Sequence, residues 1–217
     1  FFAGLLCATQ SVCAQLQVTA PVINEVHYDE VDKTEVAEFI EIYNPTDAAI
    51  SLEGWEISGG VDFLFPPASR IEGGSYLIIA QDPATIARKF RRNGALGPWS
   101  GRLRNSGETL NLRDPDGVVV STVDYQLGFP WPTVGDLVDG VSPSIQLIHP
   151  ELQTDLGGSW RSGRPTPGVR NIVYSEEAPP QVRQVSHVPV EPRANEPVVV
   201  AAHVTDSDGV ASVVLSY

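Results

Sequence analysis

The sequence predicts an all-β chain with one short helix. Prolines (18) and glycines (19) punctuate its 217 residues at close intervals. The segments between them are short and rich in β-branched and aromatic residues. Only one segment, after Asp82-Pro83, carries helical start and stop signals.

In chain order, Pro21–Tyr28 reads as a first strand and Ala37–Asn44 as a second, joined by the acidic loop DEVDKTE. Asp47–Leu52 and Gly54–Ser58 follow, with Trp55 as a core anchor. Gly59-Gly60 turns into Val61–Phe65, which Pro66-Pro67 closes. Glu72-Gly73-Gly74 is a tight turn before the apolar strand Ser75–Gln81. Asp82 is a good N-cap, Pro83 a good first helical residue and Asn93-Gly94 a good stop. Within that helix Ile86 and Phe90 share one face, so Arg88, Lys89 and Arg92 are expected to point to water. Ser106–Arg113 and Val118–Tyr125 form a hairpin around the turn Asp114-Pro115-Asp116-Gly117. Ser144–Ile148 is a later strand, and Thr166-Pro167-Gly168 ends the domain.

The stretch AEFIEIYNP (Ala37–Pro45) organises the rest. One face of this strand carries Glu38, Ile40, Ile42 and Asn44, and the other Ala37, Phe39, Glu41 and Tyr43. Each face is apolar yet holds a carboxylate. Whichever face is buried, a glutamate needs hydrogen-bond donors, and backbone N–H groups and side chains on neighbouring strands such as VINEVHY (Val22–Tyr28) are the expected sources.

Residues 1–14 carry no charge and end in Val12-Cys13-Ala14, which suits signal-peptidase cleavage after Ala14. This segment is expected to be a secretory signal peptide that lacks its start, and it is too short and broken to span a bilayer. Both cysteines, Cys7 and Cys13, lie inside it, so the mature chain has no disulfide, cysteine nucleophile or thiolate metal site. Removing it leaves about 200 residues, enough for one sizeable core and part of another. A net charge of −13 and a pI near 4.6 argue against non-specific binding to nucleic acid.

The ordered set VINEVHY, EFIEIYNP, LEGWEIS and EGGSYLIIA resembles the bacterial secreted form of the lamin tail domain. GPWSGRLRNSGETLNLRDPDGVVVSTVDY, FPWP (Phe129–Pro132), SIQLIHP and the closing Trp160 with Thr166–Asn171 fit the same family. The resemblance covers residues 20–172. It implies an immunoglobulin-like β-sandwich, an accessory module of large secreted or surface proteins, and no catalytic residue to carry over. Residues 173–184 then read as an acidic, Pro-rich linker. Residues 185–217 resemble the incomplete start of an immunoglobulin- or fibronectin-like domain, with two strands around Asp206-Ser207-Asp208-Gly209.

Few residues offer chemistry, and each has a structural rival. Glu25, Glu38 and Glu41 have the composition of a glycosidase acid pair, but mid-strand carboxylates more often serve as hydrogen-bond acceptors. His27, His149, His187 and His203 are too scattered to gather a metal. No G-x-S-x-G elbow or phosphate-cradling glycine loop is present. Calcium is the one cofactor weighed, at Asp114 and Asp116 or at Asp206 and Asp208, although Asp and Gly also serve a β-turn directly. Arg88, Lys89, Arg91 and Arg92, with Arg102 and Arg104 beyond, form a candidate anion-binding patch whose rival is a solvated helix face. Trp55, Trp99, Trp131 and Trp160 are either a carbohydrate platform or core.

The expectation is a non-catalytic tethering module of a larger secreted or surface protein. Its partner would be a surface polymer, polysaccharide or protein rather than nucleic acid. The alternative is an N-terminal accessory domain of a secreted hydrolase or spore-coat-type kinase whose catalytic domain lies beyond residue 217.

Overall fold

The computed structural model describes residues 18–138, 140–176, 180–194, 196–205 and 210–215. The expected signal peptide and the Asp206–Gly209 turn, with its calcium candidates Asp206 and Asp208, lie outside the described residues.

The strands are β1 (Val22–His27), β2 (Phe39–Tyr43), β3 (Ile50–Ser51), β4 (Glu56–Ser58), β5 (Val61–Leu64), β6 (Arg70–Ile71) and β7 (Tyr76–Ala80). Helix α1 (Pro83–Phe90) follows, and then β8 (Ser100–Gly101), β9 (Gly107–Arg113), β10 (Val119–Gln126), β11 (Ser144–Leu147) and β12 (Trp160–Gly163). Two five-stranded antiparallel sheets result, ordered β12-β11-β1-β2-β7 and β10-β9-β4-β5-β8. This is the all-β, immunoglobulin-like sandwich that the sequence predicts.

The inner faces fill one core. Ile23, Val26, Ile40, Ile42, Ile79 and Ile145 meet Ile57, Val61, Leu110, Leu112 and Val123, all of them buried. Trp160 is fully buried, and its indole N–H donates to the Thr154 carbonyl at 2.9 Å. Trp99 and Trp131 are buried as well, and Trp55 is half-buried against the same core. The tryptophans are core, not a carbohydrate platform.

The outer face of the first sheet is also covered, which explains why β1 reads as buried at every position. Phe39, Ile78 and Ala80 pack under Ile86 and Phe90 of α1. Asp82 caps that helix by accepting the Ala84 N–H at 3.1 Å and the Thr85 hydroxyl at 2.7 Å. The helix stops earlier than expected, at Phe90, because Arg91 turns left-handed at φ 58°. Arg91 and Arg92 therefore leave the helix that carries Arg88 and Lys89.

Two further strands, β13 (Gln181–Val188) and β14 (Val199–Thr205), pair only with each other among the described residues. β13 begins inside the segment read as linker. β14 takes β13 as its partner rather than the residues beyond the Asp206–Gly209 turn, as the sequence reading had it.

Candidate functional site

The acids singled out from sequence separate into two places. β1 and β2 set Glu25 directly opposite Glu41, on the outer face, and Gln146 of β11 flanks Glu25. A register shift between Ile23 and Glu25 makes Asn24 the extra residue of β1. Its amide then reaches Glu41 Oε1 at 3.0 Å. The donor from VINEVHY is thus present, on the strand predicted to supply it.

The remaining donors come from a loop far along the chain. Thr166 gives Glu25 both its N–H, at 2.9 Å, and its hydroxyl, at 3.0 Å. The Ser144 hydroxyl and the Gln146 amide also donate to Glu25. The Gly168 N–H donates to Glu41 Oε2. Asn171 locks the arrangement: its amide donates to the Asn24 carbonyl at 2.9 Å and to the Leu147 carbonyl at 2.9 Å.

Both carboxylates are fully buried. Burial pushes Glu25 up to about 7, against the pull of its donors. Glu41 is raised well above its ordinary value, first by burial and next by the charge of Glu25. These groups face loop and strand rather than a cleft, so they serve as the acceptors on which Thr166–Asn171 is hung.

Glu38 lies elsewhere. It accepts the Leu103 N–H at 3.1 Å and stands 3.6 Å from Arg102. Together with Tyr28, Glu30 and Lys33 it lines a cavity of about 330 Å³. The charges here are mutually paired. Lys33 binds Asp29, while Lys89 of α1 binds Glu30 and Glu35. For Glu30, burial alone would raise the pKa, but the Lys89 and Ser142 hydrogen bonds outweigh it and hold the carboxyl low.

These pairs engage two of the four candidate anion-patch residues, Arg88 and Lys89. Lys89 is only 20 % exposed and sits between two glutamates, and Arg88 stands 3.6 Å from Glu35. Lys89 is held between the glutamates rather than pointing to water, whereas Arg88, at 64 % exposed, points to water as expected. Arg92 is instead drawn to the Thr166–Asn171 loop, where a Cβ at Gly168 would lie 3.5 Å from Arg92 Cδ.

The calcium candidates in the described region are turn residues. Asp114 Oδ1 accepts the Asp116 N–H at 3.0 Å and the Val118 N–H at 2.8 Å, which serves the hairpin turn. Among the described residues no group of three or more His, Cys, Asp or Glu side chains is placed to hold a metal. His27 is buried between two carbonyls, 3.0 Å from Ala37 O and 3.2 Å from Ser142 O. Burial lowers its pKa, with Glu30 and the two carbonyls pulling the other way.

One surface was not anticipated. Tyr43 and Tyr76 are register partners across β2 and β7, with stacked rings 4.6 Å apart. Arg170 lies 4.9 Å above the ring of Tyr174, and His149 is 5.5 Å from the same ring. The alternation of β2 put Tyr43 on the face of Glu41, but nothing local in the sequence brings Arg170 and Tyr174 beside it.

Comparison with family models matches residues 15–126 to the Lamin Tail Domain, whose fold is immunoglobulin-like. A search of curated proteins finds no match. The sandwich, the ordered strand motifs and this match agree, and the chain belongs to the lamin tail domain family.

Proposed function

We propose that the chain is a non-catalytic interaction module of a secreted or surface protein, holding its partner by contact alone. One observation carries this reading. The acid pair with the composition for hydrolysis, Glu25 and Glu41, is fully buried and already occupied by Asn24, Ser144, Thr166 and Gly168. A general acid and base must reach substrate, and a glycosidase pair must flank a cleft. Here the space between sheet and loop is filled by the chain itself.

The test is a screen of the purified chain against esterase, phosphatase, nuclease and glycosidase substrates, run beside cell-wall and polysaccharide pull-downs. The expected result is retention on a surface polymer without turnover. Turnover that disappears in Glu38→Gln or Glu41→Gln would overturn the reading.

A further inference from the structure

We propose that the face formed by Tyr43, Tyr76, Tyr174, Arg92 and Arg170 binds an acidic polysaccharide, a chain of sugars bearing repeated carboxylates. This assignment rests on the reading of the chain as a contact module and names what it contacts.

Charge is the first argument. The protein carries a net −13, and half of its 14 lysines and arginines are spent on its own acids: Lys33, Arg70, Arg88, Lys89, Arg102, Arg104 and Arg113 each pair with an aspartate or glutamate. Arg92 and Arg170, like Arg91, Arg161, Arg164 and Arg193, have no ion pair among the described residues; Arg170 belongs to the Thr166–Asn171 loop and Arg92 lies against it at Gly168. Two uncommitted guanidinium groups on one face of an acidic protein favour an anionic ligand. The acids nearest this face limit its extent. Glu41 is sealed below it, while the charges of Glu151 and Glu176 act on Tyr174, so the anionic groups of the ligand are assigned to Arg92 and Arg170.

Geometry is the second argument. The Arg170 guanidinium carbon lies 4.9 Å over the Tyr174 ring, and this exposed side chain has N–H donors to offer a carboxylate. The half-buried tyrosines add hydroxyls beside it. Burial, reinforced for Tyr76 by Tyr43 and Glu41, raises the Tyr76 and Tyr174 pKa values, so these hydroxyls stay protonated and able to donate. Carboxylates alternating with hydroxyls are what a uronate polymer presents.

The backbone disfavours an acidic peptide. A bound peptide would gain most by adding as a strand next to β7. That position is taken at the Ile78–Ala80 end of β7, where Leu96 donates to the Ile78 carbonyl at 2.8 Å and accepts the Ala80 N–H at 2.9 Å, so a full-length added strand is blocked. The face offers side-chain donors and rings, which suit a ligand recognised through its substituents.

The experiment is calorimetric titration of the whole chain with purified oligogalacturonate, with neutral dextran and poly-glutamate as comparators. Binding is expected to weaken with added salt and to fall about tenfold in Arg170→Gln, the loss of one charge-assisted contact. Arg170 is exposed, so this variant should keep the parental unfolding temperature; Tyr174→Phe, which keeps the ring, reports the hydroxyl separately. Absent oligogalacturonate binding, undiminished binding by Arg170→Gln and Arg92→Gln, or equal binding of dextran or poly-glutamate would each overturn the assignment. None of those results touches the module reading, which stands or falls on turnover and on the pull-downs.

Discussion

Glu25 and Glu41 face each other across β1 and β2, with neither side chain open to solvent and no cation in direct contact with either among the described residues. Two carboxylates so placed hold a proton that they would release in the unfolded chain. Between the ordinary value of 4.5 and about 7, the unfolded state therefore binds fewer protons than the folded state, and stability falls as pH rises. For Glu25 alone the loss is on the order of 3 kcal/mol. His27 works in the opposite sense, since a lowered pKa gives stability that grows with pH up to its ordinary 6.5. Comparing Glu41→Gln with the parent cancels the His27 contribution. Urea unfolding from pH 5 to 8 should show a shallower decline in the variant, and identical slopes would remove the pair from the account.

Asn171→Ala should be costly well beyond its size. The side chain fastens the loop to two strands through the Asn24 and Leu147 carbonyls, and losing it strands buried polar groups. A destabilisation of about 2–4 kcal/mol is expected from chemical denaturation. Hydrogen exchange should quicken first at the Thr166 and Gly168 amides, which point at the carboxylates.

Lys89 and Arg88 should differ sharply although they are neighbours. Lys89→Met leaves Glu30 buried and without its cation, an expected loss of about 1–3 kcal/mol at pH 7. That loss should shrink as acid protonates Glu30. Arg88 is 64 % exposed, and Arg88→Met should change stability by no more than about 0.5 kcal/mol. Thermal unfolding of both variants at pH 4 and pH 7 checks the pair.

The β13–β14 ribbon should exchange its amides far faster than the sandwich within the same chain. Val182, Val185, Val188 and Val199 are exposed, and a two-stranded ribbon without a packed face is marginal in water. Protection there equal to that of β1 and β2 would mean that the ribbon has found a cover.

What was legible in the sequence was mostly local. Asp82-Pro83 marks the helix start and Asp114–Gly117 the hairpin, because the interactions that fix them close within four residues. Alternation in β2 announced a carboxylate on either face, with neighbouring strands to supply donors to the buried one, and Asn24 of β1 does so for Glu41 beside Glu25. The loop that completes their bonding was not legible. Thr166 lies 141 residues from Glu25, and Gly168 lies 127 from Glu41. The basic cluster misled for the same reason, since Lys89 finds Glu30 across 59 residues. β12 escaped notice because WRSG has no apolar alternation, and β13 because it follows a Pro-rich segment.

The family match ends at Gln126, yet β1 is the middle strand of a sheet whose last two members are drawn from residues 144–163. The unit that is recognisable by descent is therefore smaller than the unit that is physically complete. Excised at Gln126, the protein would turn β1 into an exposed edge, a row of unpaired amides and carbonyls open to pairing with another molecule. The same cut would remove Ser144, Gln146 and Thr166 from around Glu25, so that edge would carry a hydrated charge where the intact chain has a sealed acid. A relative that keeps Glu25 and Glu41 but replaces the later strands has to solve the burial of those two acids by other means.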